Sequence, residues 1–489
     1  MIFNSLTFLL FFIVVFLIYW FPLKNTTRGQ NIFLLLASYF FYGYADWKML
    51  PLLIVATLIF YYLGKAIAGA KSEKQGYWLT FAGVALGIGT LLYFKYFNFF
   101  IESFASIFNA VGLHANLHTF NIIMPLGISF FTFRLLSYII DIYRGKGQPT
   151  DDIIAFGTYV AFFPCILSGP IDRPEFIKQL QAKRDFSYDQ AIDGCRQFLW
   201  GMFKKIVVAD NCATYVDNVW ANISGLSGST LVLAAVLYLF QIYADFSGYS
   251  DMAIGVGKLL GFKIADNFKF PLLALNIADY WRRWHITLTS WLTDYVFMPL
   301  NIKFRDWGNW GMILSIVITF VLIGMWHGAN WTFALFGLYH GLLYIPLILS
   351  GAFFKKAKLK TNKLGLPVAN DFGRMVLTFV LVVTGLILFR AESVEQAWEY
   401  LCGICSKSLF FTPVLSTPTI SGPRLFVPLT TAILILIGME WWNKKGEHGL
   451  SYSISPSWQW VRHFINLGLI LYIIFFGQFG YNQFIYFQF

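Results

Sequence analysis

The chain has 489 residues, of which 57% are hydrophobic and only 12% are charged, and its formal net charge is +11. A soluble core of this length cannot cover so much apolar surface, so the composition excludes a soluble globular protein and predicts an integral membrane protein. There is no soluble basic domain for a nucleic-acid interface, and the positive charge is typical of cytoplasmic loops and contact with anionic lipids.

Neutral apolar runs that approach the length needed to cross a bilayer recur along the chain. They predict an all-α integral membrane protein with roughly 11–13 transmembrane helices plus re-entrant or interfacial helices. No linker or repeat divides the chain, so residues 1–489 are predicted to form one domain. Predicted spans lie near 6–23, 31–45, 49–64, 78–94, 122–138, 153–167, 231–244, 311–325, 331–349, 375–389, 425–439 and 464–485.

The loops between these spans indicate an orientation. The first apolar run lacks the positive region and the cleavage site of a secretory signal, so it is expected to be retained as a span. Short loops rich in lysine and arginine are typically cytoplasmic, which places Met1 outside. The basic residues are Lys24, Arg28, Lys65, Lys71, Lys74, Lys355, Lys356, Lys358, Lys360 and Lys363.

Two polar segments interrupt the apolar pattern. Segment 185–210 has apolar residues at three- and four-residue steps. This favours either an interfacial helix, with Lys204 and Lys205 towards lipid head groups, or a cytoplasmic helix packed on the domain. Segment 245–283 mixes carboxylates, amides and small residues with apolar stretches. Polar groups at membrane depth are tolerated where they are buried in protein or line water, so this segment predicts the wall of a cavity.

The second segment begins with a run of polar side chains. Asp245, Ser247, Tyr249 and Asp251 are candidates for binding a polar substrate or orienting a histidine. The alternative is that the carboxylates satisfy helix ends and pair with arginine. Ser247 does not lie in a G-x-S-x-G motif, so a serine hydrolase is disfavoured.

The first candidate histidine follows in Asp279-Tyr-Trp-Arg-Arg-Trp-His285. On a helix, Trp281 and His285 share a face, and Asp279 pairs with Arg282 or Arg283. The alternative is a membrane-boundary belt, where tryptophan and arginine collect.

The second candidate, His327, lies next to Trp326 in a stretch, from Gly311 to Phe354, that contains no Asp, Glu, Lys or Arg. An ionisable ring in such a run is costly unless it has a partner or lines a wet cavity, so His327 is a functional-site candidate. A neutral imidazole there can act as a general base. The alternative is a hydrogen bond that holds two spans together.

The remaining histidine and cysteine patterns are less specific. His340 lies thirteen residues beyond His327, on another face of any continuous helix, and is expected to be structural. Cys402 and Cys405 form a CxxC pair without further ligands at matching spacing, which predicts packing residues and no metal site. Axial ligation of a haem or metal by His285 and His327 is a further hypothesis.

Taken together, these motifs resemble the membrane-bound O-acyltransferase superfamily. The likeness is greatest to the bacterial branch that includes the alginate O-acetylation membrane subunit and the D-alanyl transfer protein of teichoic acid modification. The matching stretches are 125–133 (PLGISFFTF), 141–145 (DIYRG), 168–173 (SGPIDR), 243–252 (YADFSGYSDM), 267–268 (NF), 281–286 (WRRWHI), 324–329 (GMWHGA) and 484–489 (FIYFQF).

The resemblance implies a ring of helices around a central funnel, in which donor and acceptor meet from opposite membrane faces. It also implies catalytic roles for His327 and His285. Asp245, Ser247, Tyr249, Asp251, Asn267, Trp281, Arg282, Arg283 and Trp326 are then the candidate substrate-binding residues, and Asn267, His285 or a backbone N–H is the candidate donor to an oxyanion. Arg134 departs from the family pattern, where an uncharged polar residue is expected.

The implied activity is transfer of an acyl group, most simply acetyl, from a cytoplasmic thioester to hydroxyls of an extracytoplasmic polysaccharide. No bound cofactor is expected, and the donor is acetyl-coenzyme A or an acyl-carrier thioester. The expected partners are membrane lipids, a separate extracytoplasmic acyltransferase and an acyl carrier protein, in the bacterial cytoplasmic membrane. D-alanyl transfer to teichoic acid-type polymers and a polytopic transporter are the alternatives.

Overall fold

The computed structural model describes residues 1–112, 119–355, 357–416, 422–451, 459–480 and 484–485. Across these ranges every regular element is helical, apart from an isolated bridge between Thr361 and Pro367. The predicted all-α class is therefore confirmed. Lys356 of the basic loop, residues 481–483 of the last predicted span and residues 486–489 of the last motif lie outside the described residues.

The α-helices of these ranges are numbered along the chain. They are α1 (Leu6–Trp20), α2 (Thr27–Asp46), α3 (Leu50–Ala68), α4 (Glu73–Leu91), α5 (Phe97–Ala110), α6 (Ile128–Tyr143), α7 (Ile153–Ala161), α8 (Phe176–Gln181), α9 (Tyr188–Met202), α10 (Asp210–Ala221), α11 (Gly228–Leu259), α12 (Ile277–Trp281), α13 (Ile286–Leu292), α14 (Met298–Lys303), α15 (Gly308–His327), α16 (Trp331–Leu342), α17 (Ile345–Leu349), α18 (Ala369–Arg390), α19 (Val394–Ile404), α20 (Gly422–Trp442) and α21 (Gln459–Phe476). Three π-helical segments, Leu92–Tyr96, Phe203–Ala209 and Thr293–Phe297, connect helices of this series.

Eight of the described helices are long and apolar enough to cross a membrane, and α1 is apolar but shorter. The predicted spans at 122–138 and 153–167 correspond to α6 and α7, which have 16 and 9 residues. A nine-residue helix is only about 14 Å long, roughly half the hydrocarbon thickness. The eight candidates are Leu50–Ala68, Glu73–Asn109, Gly228–Leu259, Arg305–His327, Trp331–Leu349, Ala369–Arg390, Arg424–Trp442 and Gln459–Phe476.

The chain divides into two compact units by its internal contacts. The first comprises Met1–Gly194 with Val256–Ala265, and the second comprises Cys195–Gly255 with Asp266–Phe489. Both predicted catalytic histidines belong to the second unit.

Arg134 lies fully buried in the first unit. Its Nη1 donates to the carbonyl oxygen of Val160 at 3.0 Å, and its Nη2 donates to that of Pro170 at 3.3 Å. Val160 lies in the last turn of α7, where a helix leaves its C=O groups without internal partners, and Pro170 lies in the irregular segment that follows. The arginine that departs from the family pattern therefore stabilises irregular backbone within this unit.

In the second unit, α9 and α11 cross with their backbones in contact. A side chain on Gly201 would lie 2.5 Å from the carbonyl oxygen of Gly248, and one on Gly248 would lie 2.8 Å from that of Gly201. Only glycine permits this approach. The crossing brings the π-helical segment that follows α9 against the polar stretch of α11.

Candidate active site

His327 is the last residue of α15, which packs tightly against α16. A side chain on Gly324 would overlap the carbonyl oxygen of Phe333, and one on Gly337 would overlap that of Phe320. Because glycine alone allows such close packing, these two positions fix the hairpin and hence the point where α15 ends. The sequence pattern Gly-Met-Trp-His-Gly thus places an imidazole at a rigid helix end.

The His327 ring packs against other aromatic rings. Its centroid lies 4.9 Å from that of Trp326, 5.0 Å from that of Phe389 and 6.3 Å from that of Phe336, all in edge-to-face geometry. The residue is 3% exposed. The imidazole therefore lies in an apolar, water-poor environment, where electrostatic interactions are stronger than in water.

His285 precedes α13 and has a left-handed backbone, with φ +46° and ψ +51°. Such a conformation costs a non-glycine residue about 1–3 kcal/mol and persists only where neighbouring contacts impose it. Asn267 makes those contacts. Its main-chain carbonyl oxygen accepts from the N–H of Ile286 at 2.9 Å, and its side-chain Oδ1 lies 3.0 Å from Nδ1 of His285. Positive φ at a candidate catalytic residue is typical of functional sites.

The partners of Asn267 determine the tautomer of His285. Asn267 Oδ1 also accepts from the backbone N–H of Thr287 at 3.3 Å and from its hydroxyl at 2.9 Å, while Nδ2 donates to Ser250 Oγ at 3.3 Å. This fixes the amide orientation, so Nδ1 of His285 must donate to Oδ1. Nε2 then carries the lone pair, and burial lowers the pKa of His285 to about 3, so the ring stays neutral.

The tautomer of His285 bears on whether His285 or Asn267 can donate a hydrogen bond to the oxyanion. A neutral imidazole with its lone pair on Nε2 accepts a hydrogen bond there and cannot donate one to an oxyanion. Asn267 Oδ1 accepts from His285 and Thr287, and one of the two Nδ2 hydrogens is donated to Ser250, so Asn267 keeps one side-chain donor. Of the three candidates for the oxyanion donor, Asn267 and a backbone N–H therefore remain.

Trp326 brings the two histidines into one site. The centroid of its ring lies 5.5 Å from that of His285 and 4.9 Å from that of His327. Both imidazoles therefore contact the same indole ring. His285 is 0% exposed and His327 is 3% exposed, so neither ring is open to bulk water.

Asn267 lines a small polar cavity. Its free volume of about 20 Å³ holds a water molecule but is too small for an acyl donor. Three predicted substrate-binding residues, Ser247, Asp251 and Asn267, line it. The other lining residues are Gln197, Trp200, Lys204, Tyr243, Ser250, Ile254, Asp266, Phe268, Phe270, Glu440, Glu447, His448 and Gly449.

Other predicted site residues lie elsewhere in the second unit. Asp245 Oδ2 accepts from the N–H of Ile485 at 2.8 Å, and the Tyr249 ring packs edge-on against Phe484 at 4.9 Å. These two side chains therefore contact the last described residues of the chain. Asp245 also pairs with the buried Lys205.

Trp281, Arg282 and Arg283 also make protein contacts. Trp281 Nε1 donates to Nδ1 of His340 at 3.2 Å, which gives His340 the structural contact expected of it. Arg282 Nη2 donates to the carbonyl oxygen of Phe353, and Arg283 pairs with Asp279 at 3.0 Å. Their part in substrate binding stays a prediction.

Of the two alternatives for segment 185–210, the interfacial helix with Lys204 and Lys205 towards lipid head groups is wrong. Both are buried, with 3% and 1% exposure, instead of pointing to lipid head groups. Lys204 pairs with Asp251, while Lys205 lies 2.9 Å from Asp210 and 2.7 Å from Asp245. The reason is the π-helical turn Phe203–Ala209, which breaks the 3.6-residue period on which the prediction rested.

Residues not singled out from the sequence also shape the site. Gln197 donates to Asp251 at 2.8 Å, and the Tyr243 hydroxyl donates to Glu440 at 2.6 Å, both on the cavity wall. Thr287 and Ser250 hold Asn267. The only advance signal for the Glu440 contact is an acidic residue at the end of an apolar run.

Across the described ranges, no group of three His, Cys, Asp or Glu side chains is placed to hold a metal ion. Cys402 and Cys405 are both exposed free thiols at the end of α19. Their surface position differs from the buried packing expected of them.

The comparison with known proteins identifies the class to which this site belongs. Residues 39–388, which include both histidines, match the family model described as MBOAT, membrane-bound O-acyltransferase family. The chain belongs to this family and is an O-acyltransferase. The resemblance seen in the sequence motifs is thereby confirmed, and the enzyme is favoured over the transporter.

Three relatives within the family are similar to this chain. The probable alginate O-acetylase AlgI of Azotobacter vinelandii is 37% identical over 412 residues, which cover 83% of this chain and 78% of that protein. The peptidoglycan O-acetyltransferase of Helicobacter pylori is 31% identical over 439 residues, covering 83% and 80%. The teichoic acid D-alanyltransferase of Bacillus subtilis is 30% identical over 285 residues, covering 56% and 70%.

Proposed function

We propose that this enzyme transfers an acetyl group from a cytoplasmic thioester to hydroxyls of an extracytoplasmic polysaccharide. Two relatives that match over 83% of this chain are described as O-acetylating enzymes. The D-alanyl transferase matches over 56%. This difference in coverage favours acetyl over D-alanyl transfer. The observation that carries the chemistry is the pair of buried imidazoles in contact with the single indole of Trp326.

In the proposed reaction, neutral His327 accepts the proton of the acceptor hydroxyl as its oxygen attacks the thioester carbonyl. A carbon–oxygen bond forms, the carbon–sulfur bond breaks, and the proton passes from the imidazole to the departing sulfur. His285, held neutral with an accepting Nε2, takes a hydrogen bond from the reacting substrate and orients it. The second Nδ2 hydrogen of Asn267 or a backbone N–H stabilises the oxyanion.

The closed site suits this chemistry. Water that reached the thioester would compete with the sugar hydroxyl and hydrolyse the donor. A buried, aromatic surround excludes that water until substrates enter. No covalent acyl-enzyme is needed, because the acceptor oxygen attacks the donor directly.

The donor is acetyl-coenzyme A or an acylated carrier protein, and the enzyme lies in the cytoplasmic membrane of a bacterium with Met1 outside. The basic loops support this orientation. A separate extracytoplasmic acyltransferase completes delivery to the glycan. Membrane lipids surround the apolar helices.

Replacing His327 with alanine tests the assignment. We expect ester formation to fall by at least about 10²-fold, the smallest contribution typical of a general base. His463→Ala is the matched control, because His463 is exposed on α21 and lies outside the site. Acetyl esters on the polysaccharide are measured after both variants are shown to be folded in the membrane. Near-normal esterification by His327→Ala would remove His327 from the mechanism.

A further inference from the structure

Three phenylalanine rings form a continuous wall beside His327. Phe389 of α18 contacts the imidazole directly, with ring centroids 5.0 Å apart, and Phe336 of α16 lies 6.3 Å away. Phe389 also packs against Phe336 at 5.1 Å and against Phe333 at 5.0 Å. All three rings are buried. We call Phe333, Phe336 and Phe389 the phenylalanine wall.

Neighbouring backbone and side chains restrict the movement of the phenylalanine wall. A side chain on Gly328, the residue after His327, would overlap the ring of Phe333. The ring therefore lies directly against the main chain. Phe336 packs on its other side against His340 at 4.6 Å, and His340 is in turn bonded to Trp281. Because each ring is wedged between neighbours, rotation of one ring does not open the wall.

The position of the wall bears on the acyl group. A hydroxyl that gives its proton to His327 lies about 3 Å from a ring nitrogen, and the acyl carbon it attacks lies about 3–3.5 Å from that oxygen. The first carbons of the acyl tail are then as close to the imidazole as the Phe389 ring is. Edge-to-face rings about 5 Å apart leave no channel between them for a hydrocarbon chain.

We propose that the phenylalanine wall sets the length of the acyl group that this enzyme transfers, admitting the methyl of acetyl and rejecting longer tails. This proposal rests on the proposed function, since it places the reacting carbonyl at His327. The bonds that form and break are the same for every donor; only the tail differs. One methylene in a rigid apolar pocket changes the specificity ratio by about 10–200-fold.

Shortening the residue in direct contact with His327 tests the proposal. The full-length chain carrying Phe389→Ala is produced in its own cells, which are fed propionate or butyrate so that both coenzyme A and carrier thioesters of each length are present. Acids released from the polysaccharide by mild alkali are quantified. We expect wild-type esters to be acetyl, and the ratio of butyryl to acetyl ester to rise at least about 10-fold in Phe389→Ala.

Two further variants keep the result interpretable. Phe389→Leu removes less volume and should shift the ratio in the same direction, so it replaces Phe389→Ala if the latter does not fold. Phe240→Ala is the matched control, because Phe240 is a buried ring of α11 that packs on Phe379 and not on His327. It should leave the ratio unchanged.

The outcomes separate the two proposals. Acetyl transfer with an unchanged ratio in both Phe389 variants overturns the phenylalanine wall as a length filter while leaving the acetyl transfer standing. An equal rise in Phe240→Ala overturns it as well, since any buried cavity would then suffice. If cells that contain this chain carry no more ester on the polysaccharide than cells that lack it, the proposed function itself is overturned.

Discussion

At the scale of single residues, the side chain of Asn267 holds His285. Its Oδ1 accepts from His285 and Thr287, and its Nδ2 donates to Ser250. Oriented in this way, the imidazole presents a lone pair instead of a proton to the site. Asn267 is therefore a positioning residue, whose loss should alter the rate more than the fold.

Asn267→Leu should lower the turnover number about 10²-fold, because His285 loses the acceptor that fixes its tautomer. Asn267→Asp keeps that acceptor and should recover part of the rate. The added carboxylate would raise the pKa of His285 from about 3, so this variant should also lose activity towards acid pH, where the imidazole gains a proton. The measurement is the pH profile of ester formation for both variants. Equal rates and flat profiles would mean that Asn267 is only structural.

At the scale of helices, the Gly201–Gly248 crossing positions the buried charges on both sides of it. Gly248→Ala puts a methyl group 2.8 Å from the Gly201 carbonyl oxygen and 3.1 Å from the Lys205 amide nitrogen. Since both neighbours are backbone, the helices must separate, and we expect a loss of about 1–3 kcal/mol of stability. Thermal unfolding in detergent measures it.

The control for this prediction is Gly438→Ala. Gly438 lies within α20 with no atom in reach of an added methyl group, so alanine should be neutral or slightly stabilising there. If Gly248→Ala unfolds at the same temperature as Gly438→Ala, the crossing is looser than the structure indicates.

The same region shows how far the sequence alone can predict this site. The low number of charged residues in the apolar runs was sufficient to predict a membrane protein. The position of His327 within such a run was sufficient to identify this residue as a functional-site candidate. The burial of Lys204 and Lys205 was not predictable from periodicity, because both lie within the π-helical segment Phe203–Ala209, where side chains do not follow the 3.6-residue period. The contact between His285 and Asn267 joins residues eighteen apart through left-handed backbone, which no regular pattern describes.

At the scale of the whole molecule, the helices present different side chains to lipid and to protein. In α18, Phe372, Val376 and Val380 are exposed at steps of four residues, whereas Val382 and Phe389 are buried. In water such an apolar face would cause association, and in a bilayer it contacts lipid tails. The low charge of the sequence thus corresponds to a lipid-facing surface as well as to a core.

The cysteines offer a test of how this surface is oriented in the membrane. The N–H of Gly228 at the start of α11 donates to Ser408, close to Cys402 and Cys405, whereas Gln197 donates to Asp251 further along the same helix. Gly228 and Asp251 are about 35 Å apart along the helix axis, close to the thickness of a bilayer. The exposed Cys195, two residues before Gln197, therefore lies at the end opposite to the CxxC pair.

In the orientation we propose, Met1 is outside and the lysine-rich loops are inside, so α18 leads outward and the pair Cys402 and Cys405 faces the extracytoplasmic side. A membrane-impermeant maleimide added to intact spheroplasts should modify this pair, and Cys195 should react only after permeabilisation, as read by mass spectrometry. The buried Cys165 and Cys212 should stay unmodified in both conditions, and a Cys402→Ser, Cys405→Ser variant should show no labelling before permeabilisation. Labelling of Cys195 alone in intact spheroplasts would reverse the orientation, and a cytoplasmic thioester would then have to approach the histidines from the other face.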